Sequence, residues 1–409
     1  MKKVAKKGIG VECMVTLRRV LIVVGVIVLG WFSWSMFNYF FDRTLPALSI
    51  NGLEEGACYA GDLRCLVGVS KPSDVSVWLD KKPVISKFRV SKGQENMLPI
   101  PTKAIANGRH ALKLEACDKS YNGNVAVYEC NFEIDNTPLQ AAMVRSGADD
   151  KIFQGRTLHL QFQANKEIDH ANVKTLSGIH PCYQESEHST VYESFVPVPY
   201  EESPSEHPVR IEVVDKVGNT LILEDKFQVM GYPFKRQTLT VSADKMEKER
   251  EVGLPTTQLD RHLEECTSSS PSKKLWKGPF FVPLELSRVT CDFGTVRITQ
   301  EKGRYAHRAL DVIGPLHCVV WAPHDGVIVV KERYVHTGNT IVIDHGLGVL
   351  SLLCHLDSFA DISVGDKVKR GNPVGVMGKT GYASGAHLHW EQRLKNVPID
   401  PMQWTKTDF

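Results

Sequence analysis

The sequence reads Gly385-Ala386-His387-Leu388-His389-Trp390-Glu391 near its C-terminus, with two histidines two residues apart. Successive side chains of a strand point to opposite faces, so both imidazoles would enter the same space. Two adjacent imidazoles bring four ring nitrogens that need partners, which favours a bound metal, a catalytic pair, or both. A surface strand with two solvated histidines is the alternative, because His-x-His alone is a weak signal.

A second motif, His307-Arg308-Ala309-Leu310-Asp311, supplies a complementary imidazole and carboxylate. A separation of four residues keeps both side chains on one face of a strand or a helix. One histidine of the first motif, with His307 and Asp311, gives two nitrogens and one oxygen, a set that suits zinc and leaves a tetrahedral position open for water. His355 follows an apolar run that predicts a buried strand, and 8 of the 15 histidines lie in residues 307–389. This clustering favours a metal-binding or catalytic site.

Residues 275–404 resemble the peptidase domain of the lysostaphin-type M23 metallopeptidases. Besides the histidine motifs, the resemblance rests on ordered short motifs at residues 293–294, 322–327, 343–346, 364–368, 378–381 and 400–401. Carried over to this sequence, the family pattern implies that His307, Asp311 and His389 are zinc ligands. It also implies that His355 and His387 are catalytic residues beside the bound water.

The sequence departs from the family pattern at two positions. Ala309 stands where the family usually has Gly, and Leu353 stands where a Tyr commonly precedes the His355 motif. Neither is a metal ligand, so the departures concern substrate fit and turnover. The resemblance implies a zinc-dependent endopeptidase, with one Zn²⁺ per peptidase domain, that hydrolyses peptide cross-links of bacterial peptidoglycan. The alternative is a non-catalytic envelope protein whose M23-like fold binds peptidoglycan or activates another cell-wall hydrolase.

The acid–base residue is not assigned by a single motif. The chain has no HExxH motif to provide a glutamate base. His387 and His355 are the candidates to take the proton of the attacking water and to stabilise the oxyanion, and their individual roles stay open. Glu391 is predicted on the same strand face as both histidines of its motif, where it either orients one of them or ends a solvated strand. Segment 364–371 also resembles lipoyl or biotinyl carrier hairpins, which have no need of the histidine and aspartate motifs.

Residues 1–43 predict a cytoplasmic tail and a transmembrane anchor. The stretch 20–41 has no charge and about the ~20 residues that a bilayer-spanning helix requires. The positive-inside rule places its basic N-terminal flank in the cytoplasm, so the remaining chain would lie in the periplasm of a bacterium, held by one span of the inner membrane. A cleaved signal peptide and a buried helix are the alternatives. The basic residues of this flank are Lys2, Lys3, Lys6, Lys7, Arg18 and Arg19.

The predicted fold class is mainly β. Residues 44–137 and 138–233 each predict an Ig-like β-sandwich module, because short alternating runs are separated by Asn, Gly and Asp turns. The sequences of these modules show no cluster of catalytic or metal-binding residues, so we expect a spacer role or docking of envelope proteins. Residues 234–275 predict a helical connector with helical stretches at 244–251 and 258–266. Residues 276–409 predict an antiparallel β peptidase domain with glycine-rich turns.

The cysteines and the net charge limit the compartment and the partners. Nine of the ten cysteines follow the apolar segment, an odd number in a place where disulfides persist. Symmetry about turns at 123–124 and 61–62 predicts two cross-strand disulfides, Cys117–Cys130 and Cys58–Cys65. A net charge of +2 gives no indication of a nucleic-acid partner. The expected partners are therefore peptidoglycan peptide stems, the membrane and other envelope proteins.

Overall fold

The computed structural model describes residues 9–144, 151–238, 256–299 and 303–409. The chain divides into two compact units, Met1–Pro138 and Leu139–Phe409. Strands outnumber helices throughout the described residues, which confirms the prediction of a mainly β fold. The domain boundaries predicted from the sequence stay predictions.

The first unit begins with an apolar helix, α1 (Ile9–Phe41). Its segment Leu17–Phe41 has a mean hydropathy of 2.3 and no buried part. Length and composition suffice to cross a bilayer, and a signal sequence near the N-terminus has the same properties. The predicted apolar helix is therefore confirmed, and its insertion in a membrane is taken up below.

Eight strands complete the first unit as two sheets around one core. The sheets have the orders β1-β3-β6 and β2-β8-β7-β4-β5. Buried side chains such as Val67, Val75 and Leu114 alternate along the strands and meet between the sheets, as in a β-sandwich. The strands are β1 (Leu48–Asn51), β2 (Cys58–Tyr59), β3 (Leu63–Val69), β4 (Ser73–Leu79), β5 (Lys82–Val90), β6 (Glu95–Ile100), β7 (Gly108–Asp118) and β8 (Val125–Ile134).

The predicted disulfide Cys117–Cys130 is wrong, and the β7–β8 register gives the reason. Cys117 lies opposite Val125 and Cys130 opposite Leu112, so the hairpin is centred near residue 121 and not between residues 123 and 124. The Asp118 carboxylate accepts hydrogen bonds from the Ser120 and Asn124 backbone N–H groups and closes a six-residue loop, 119–124.

The second predicted pair, Cys58–Cys65, is wrong for a different reason. Cys58 pairs with Glu133 in the five-stranded sheet, whereas Cys65 pairs with Leu98 in the three-stranded sheet. Among the nine cysteines whose side chains the structure describes, no two lie at disulfide distance.

The second unit begins with another pair of sheets. Their orders are β10-β17-β16-β12-β13 and β14-β15-β11-β9, and they enclose a core that includes Phe162, Val173 and Ile211. The predicted number of Ig-like modules stays a prediction. The strands are β9 (Ala141–Val144), β10 (Lys151–Phe153), β11 (Thr157–Ala164), β12 (Ile168–Thr175), β13 (Gly178–Pro181), β14 (Tyr183–Gln184), β15 (Val191–Pro197), β16 (Glu206–Asp215) and β17 (Thr220–Met230).

The predicted connector contains one strand and one described helix. Strand β18 (Arg236–Thr238) occupies a place where a helical connector was predicted, because it pairs in parallel with the later strand β20 (Val296–Thr299). Helix α2 (Thr256–Ser269) contains the helical stretch predicted at 258–266. The helix predicted at 244–251 lies outside the described residues.

The C-terminal part is built on a ten-stranded antiparallel sheet. Its main order is β19-β22-β29-β26-β25-β24-β27, with β28 on β26, β23 on β28 and β30 on β29, while β20 and β21 join β18 in a small separate sheet. The remaining elements are β19 (Arg288–Cys291), β21 (Gly303–Ala306), β22 (Leu310–Ile313), β23 (Val319–Trp321), β24 (Gly326–Tyr334), β25 (Gly338–Asp344), β26 (Val349–Phe359), β27 (Lys367–Val368), β28 (Pro373–Met377), β29 (Leu388–Leu394), β30 (Val397–Ile399) and α3 (Pro401–Trp404).

The two faces of this sheet pack against different groups of side chains. Along β29, Leu388 and Trp390 enter the larger core cluster, so the intervening His389 points to the opposite face. That opposite face also carries Cys354, and helix α2 packs on it through Leu263. The predicted histidine motif therefore lies on the α2 side of the sheet.

Candidate metal centre and active site

Two imidazoles converge on one carboxylate oxygen of Asp311. The Nε2 atom of His307 lies 3.1 Å from Asp311 Oδ1, and the Nδ1 atom of His389 lies 2.9 Å from the same oxygen. The His307 and His389 ring centroids are 5.1 Å apart. The structure thus brings together the three residues predicted as zinc ligands.

The strand register explains why these side chains meet. Asp311 on β22 lies directly opposite His389 on β29, and opposed residues of an antiparallel pair share one face. His307 follows β21 and is fixed through its backbone: its N–H donates to Thr295 O at 2.9 Å, and its carbonyl accepts from Gly294 N–H at 2.8 Å. Gly294 has a φ of 74°, and a Cβ there would lie 2.1 Å from the Phe234 ring, so glycine is required at this turn.

His355 and His387 lie beside this group. Their ring centroids are 4.8 Å apart, and the His355 centroid is 5.7 Å from that of His389. The His387 Nδ1–H donates to Gly385 O at 2.9 Å, which leaves its Nε2 atom 3.8 Å from Asp311 Oδ1. The His355 Nδ1–H donates to Thr380 O at 2.8 Å, so Nε2 is its unprotonated nitrogen. The structure brings all five predicted site residues together.

A tight turn holds the acceptor of His355 in place. His355 itself has a φ of 62°, a conformation that costs a non-glycine residue about 1–3 kcal/mol. Thr380 Oγ1 donates to Leu356 O at 2.6 Å and accepts from Asn339 N–H at 2.9 Å. A Cβ at Gly338 would lie 2.4 Å from Thr380 O, so only glycine allows the 380–381 turn to approach this closely.

Glu391 connects the site to helix α2. Its Oε2 atom lies 3.8 Å from His389 Nε2, the ring nitrogen turned away from Asp311. Its Oε1 accepts from Arg393 Nε at 2.6 Å, and Arg393 also lies 3.7 Å from Asp260 on α2. All three groups of the His389–Glu391–Arg393 chain are largely withdrawn from solvent. Of the two roles considered for Glu391, contact with a histidine is the one that the geometry favours.

The charges of the cluster follow from its burial and its pairs. Burial opposes ionisation of Asp311, but hydrogen bonds from His307 and His389 hold its pKa well below the usual range. Burial also lowers the pKa of His307, yet Asp311 and Cys291 outweigh it and raise that pKa to about 9. For His355, burial and the neighbouring His389 lower the pKa to about 4, so this imidazole is neutral at pH 7. A buried carboxylate that attracts cationic charge from two sides is suited to a metal ion.

Sequence reasoning missed two residues of the site. Cys291 offers a sulfur that lies, with one donor atom each of His307 and Asp311, in a group whose members are all within 4.8 Å of one another. Arg297 places its guanidinium 3.5 Å from Asp311 Oδ2. Neither residue has a spaced partner in the sequence, so no pattern identified them.

The donor set fits a zinc ion. Two imidazole nitrogens and one carboxylate oxygen make a three-ligand set of the catalytic type. The two nitrogens, Nε2 of His307 and Nδ1 of His389, face the same carboxylate oxygen, Asp311 Oδ1. The Glu391 carboxylate lies 3.8 Å from Nε2 of His389, on the side where a metal-binding histidine commonly has a carboxylate neighbour.

Residues 305–401 match the family described as Peptidase family M23, and the chain therefore carries an M23 domain at its C-terminal end. The chain is 34% identical over 127 residues to the DD-carboxypeptidase/endopeptidase Mpg of Neisseria meningitidis, covering 31% of this chain and 29% of that protein. It is 31% identical over 120 residues to the peptidoglycan DD-endopeptidase ShyC of Vibrio cholerae, covering 29% and 28%. The chain thus spans less than a third of the length of these curated relatives.

Among the solved structures similar to this chain is the catalytic domain of the antimicrobial peptidase lysostaphin from Staphylococcus simulans. It is 26% identical to this chain, covers 29% of it and 92% of the solved chain, and has a TM-score of 0.26.

Proposed function

We propose that this chain is a zinc-dependent endopeptidase that hydrolyses peptide cross-links of bacterial peptidoglycan. The observation that carries the proposal is the convergence of His307 and His389 on one oxygen of Asp311, with His355 and His387 alongside. The names of the similar proteins support peptidoglycan as substrate and a DD-peptide bond as the bond cleaved.

His307, Asp311 and His389 are the residues that would hold the metal. Zinc in such a site supplies Lewis acidity toward the scissile carbonyl and toward the attacking water. The ring nitrogens assigned to binding are those turned toward Asp311, Nε2 of His307 and Nδ1 of His389. Asp311 joins the two imidazoles and keeps a negative charge in the buried site at neutral pH.

His355 and His387 are assigned to proton transfer. Each donates its Nδ1–H to a backbone carbonyl, so each presents Nε2 as the nitrogen that can accept a proton. The pair would take the proton of the attacking water and return it to the leaving amine. The carbonyls of Thr380 and Gly385 favour the tautomer that this task needs, and Thr380 is itself held by hydrogen bonds with Leu356 and Asn339.

Glu391 acts in this account as a positioning residue. Its carboxylate lies 3.8 Å from Nε2 of His389, and its charge favours the ring orientation that turns Nδ1 to the site. Arg393 holds the carboxylate in place and offsets its charge.

The N-terminal part would anchor the enzyme in the membrane. Helix α1 would span the bacterial inner membrane once, with the basic flank in the cytoplasm and the peptidase domain in the periplasm. The β-sandwich sheets would act as a spacer toward the cell wall and as a surface for envelope partners.

Digestion of purified peptidoglycan tests the proposal. The full chain in detergent, supplied with zinc, should release muropeptides whose masses identify a cleaved peptide cross-link. Asp311→Asn should release none, because the carboxylate that joins both imidazoles loses its charge. His317→Asn is the matched control, since His317 is exposed and its φ of 57° is one that Asn tolerates. Intact peptidoglycan after treatment with the zinc-loaded chain would refute the proposal.

A further inference from the structure

Cys291 stands in one row with the proposed ligands Asp311 and His389. It lies opposite Asp311, which in turn lies opposite His389, across the neighbouring strands β19, β22 and β29. Opposed residues of antiparallel strands share a face, with Cβ atoms about 4.5–5.5 Å apart. A cation bound by Asp311 would therefore have His389 and Cys291 on the two neighbouring strands.

A β-bulge creates this alignment. The register shifts by one residue between Val289, which opposes Val312, and Cys291. Without the shift, Thr290 would oppose Asp311, and Cys291 would oppose Leu310, whose side chain lies in the core on the other face. Bulges of this kind often re-aim a side chain next to an active site.

The donor atoms are spaced for a shared ion. One atom each of Cys291, His307 and Asp311 lies within 4.8 Å of the others, and all three residues are buried. Ligands about 2.0–2.3 Å from a tetrahedral zinc lie roughly 3.3–3.8 Å from one another, so a shift of about 1 Å closes the group. The ring nitrogen of His307 that faces this group is Nε2, 3.1 Å from Asp311 Oδ1.

We propose that Cys291 binds the metal as a fourth protein ligand beside His307, Asp311 and His389. Metal binding converts its thiol to a thiolate, the proton passes to solvent, and sulfur occupies the position that water takes in a three-ligand site. This inference rests on the proposed function and adds a closed resting form to it. Cys291 would then have to give up its place to water before hydrolysis.

Cobalt substitution tests the ligand directly. The full chain in detergent is loaded with Co²⁺, and the sulfur-to-cobalt charge-transfer absorption in the near ultraviolet is recorded beside the weaker visible bands of the bound ion. The wild type should show both, Cys291→Ser should keep only the visible bands, and Cys318→Ser should match the wild type. Cys318 is a fair control because it is half-buried in the same domain and lies outside the donor group. In chelator competition, Cys291→Ser should bind zinc at least about tenfold more weakly, the loss seen even for an outer-shell partner.

Two results would overturn the inference: a wild type without the charge-transfer band, or a band that persists in Cys291→Ser. If Cys291→Ser does not fold, mapping of alkylated thiols in the wild type replaces it. Zinc should then slow alkylation of Cys291 and leave Cys318 unaffected, and equal alkylation with and without zinc counts against the ligand. A chain that shows the band but leaves peptidoglycan intact sinks the proposed function alone. A chain that cleaves peptidoglycan without the band sinks this inference alone.

Discussion

Replacing Glu391 by Gln should weaken zinc binding although it leaves every proposed metal ligand unchanged. Glu391 Oε2 faces His389 Nε2 at 3.8 Å, so its charge favours the orientation that turns Nδ1 to the site. Gln keeps the size of the side chain and an acceptor for Arg393, but it removes the charge. Loss of an outer-shell partner typically costs about 10–100-fold in metal affinity, and we expect a value in this range.

The same substitution should also destabilise the fold by an amount that the Glu391–Arg393 pair sets. With Nε and Oε1 2.6 Å apart, the attraction is about 6 kcal/mol at an effective dielectric constant of ~20, before the desolvation cost. Removal of one partner from a buried pair costs about 3–5 kcal/mol, because the other charge stays buried. Arg393 retains hydrogen-bond contact with Asn396 and a long contact with Asp260, so we expect the lower end.

Chelator competition and denaturant unfolding measure the two effects, and Glu193→Gln separates them. Glu193 is equally withdrawn from solvent and pairs with His159 at 2.9 Å and with Lys274 at 3.1 Å, outside the site. Both variants should lose stability, but only Glu391→Gln should lose zinc affinity. If the two variants bind zinc equally well, Glu391 has a purely structural role and the reasoning fails.

Gly338→Ala should lower kcat on the order of 10²-fold with zinc retained, because its Cβ displaces Thr380 O from His355 Nδ1. Gly365→Ala, also at positive φ but in open space, should leave kcat unchanged, and equal kcat values would contradict the proposed role of the turn. Burial lowers the pKa of His345 to about 3 in the folded chain. Between about pH 6.5 and pH 3, the unfolded chain therefore binds a proton at this residue and the folded chain does not. The free energy of unfolding falls as the pH drops through this range, by up to about 1.4 kcal/mol per pH unit. Unfolding free energies against pH should show a shallower slope in His345→Gln, and an unchanged slope would refute this assignment. Protease added outside spheroplasts should remove the C-terminal domain, whereas a fully protected chain would exclude the proposed topology.

The sequence predicted the centre of the site because its residues come in spaced motifs. His389 lies on β29 and His387 directly precedes that strand, while Asp311 lies on β22 and His307 precedes it by three residues. The short spacing within each motif and the family resemblance sufficed to group them. The roles assigned to these residues stay predictions. Cys291 could not be found this way, because its place depends on a bulge that no local pattern reports.

The sequence was less informative wherever register decided the outcome. The Cys117–Cys130 pairing assumed a tight turn, whereas Asp118 closes a wider loop and moves Cys130 opposite Leu112. Residues Arg236–Thr238 were expected in a helical connector, but a distant strand, β20, offered them pairing partners. Both errors have one cause: long-range pairing overrides what neighbouring residues indicate.

The most direct test of the account compares zinc content and peptidoglycan cleavage in two variants of the His387–His389 motif. His389→Ala should lose zinc and cleavage together, because it removes one of the proposed ligands. His387→Ala should keep close to one zinc per chain and lose on the order of 10²–10⁴ in kcat, the usual contribution of a positioned acid or base. Elemental analysis and muropeptide release, measured on the same preparations, decide between the roles. An empty site in His387→Ala beside a filled one in His389→Ala would reverse the assignment, and wild-type zinc and cleavage in both would contradict the enzyme itself.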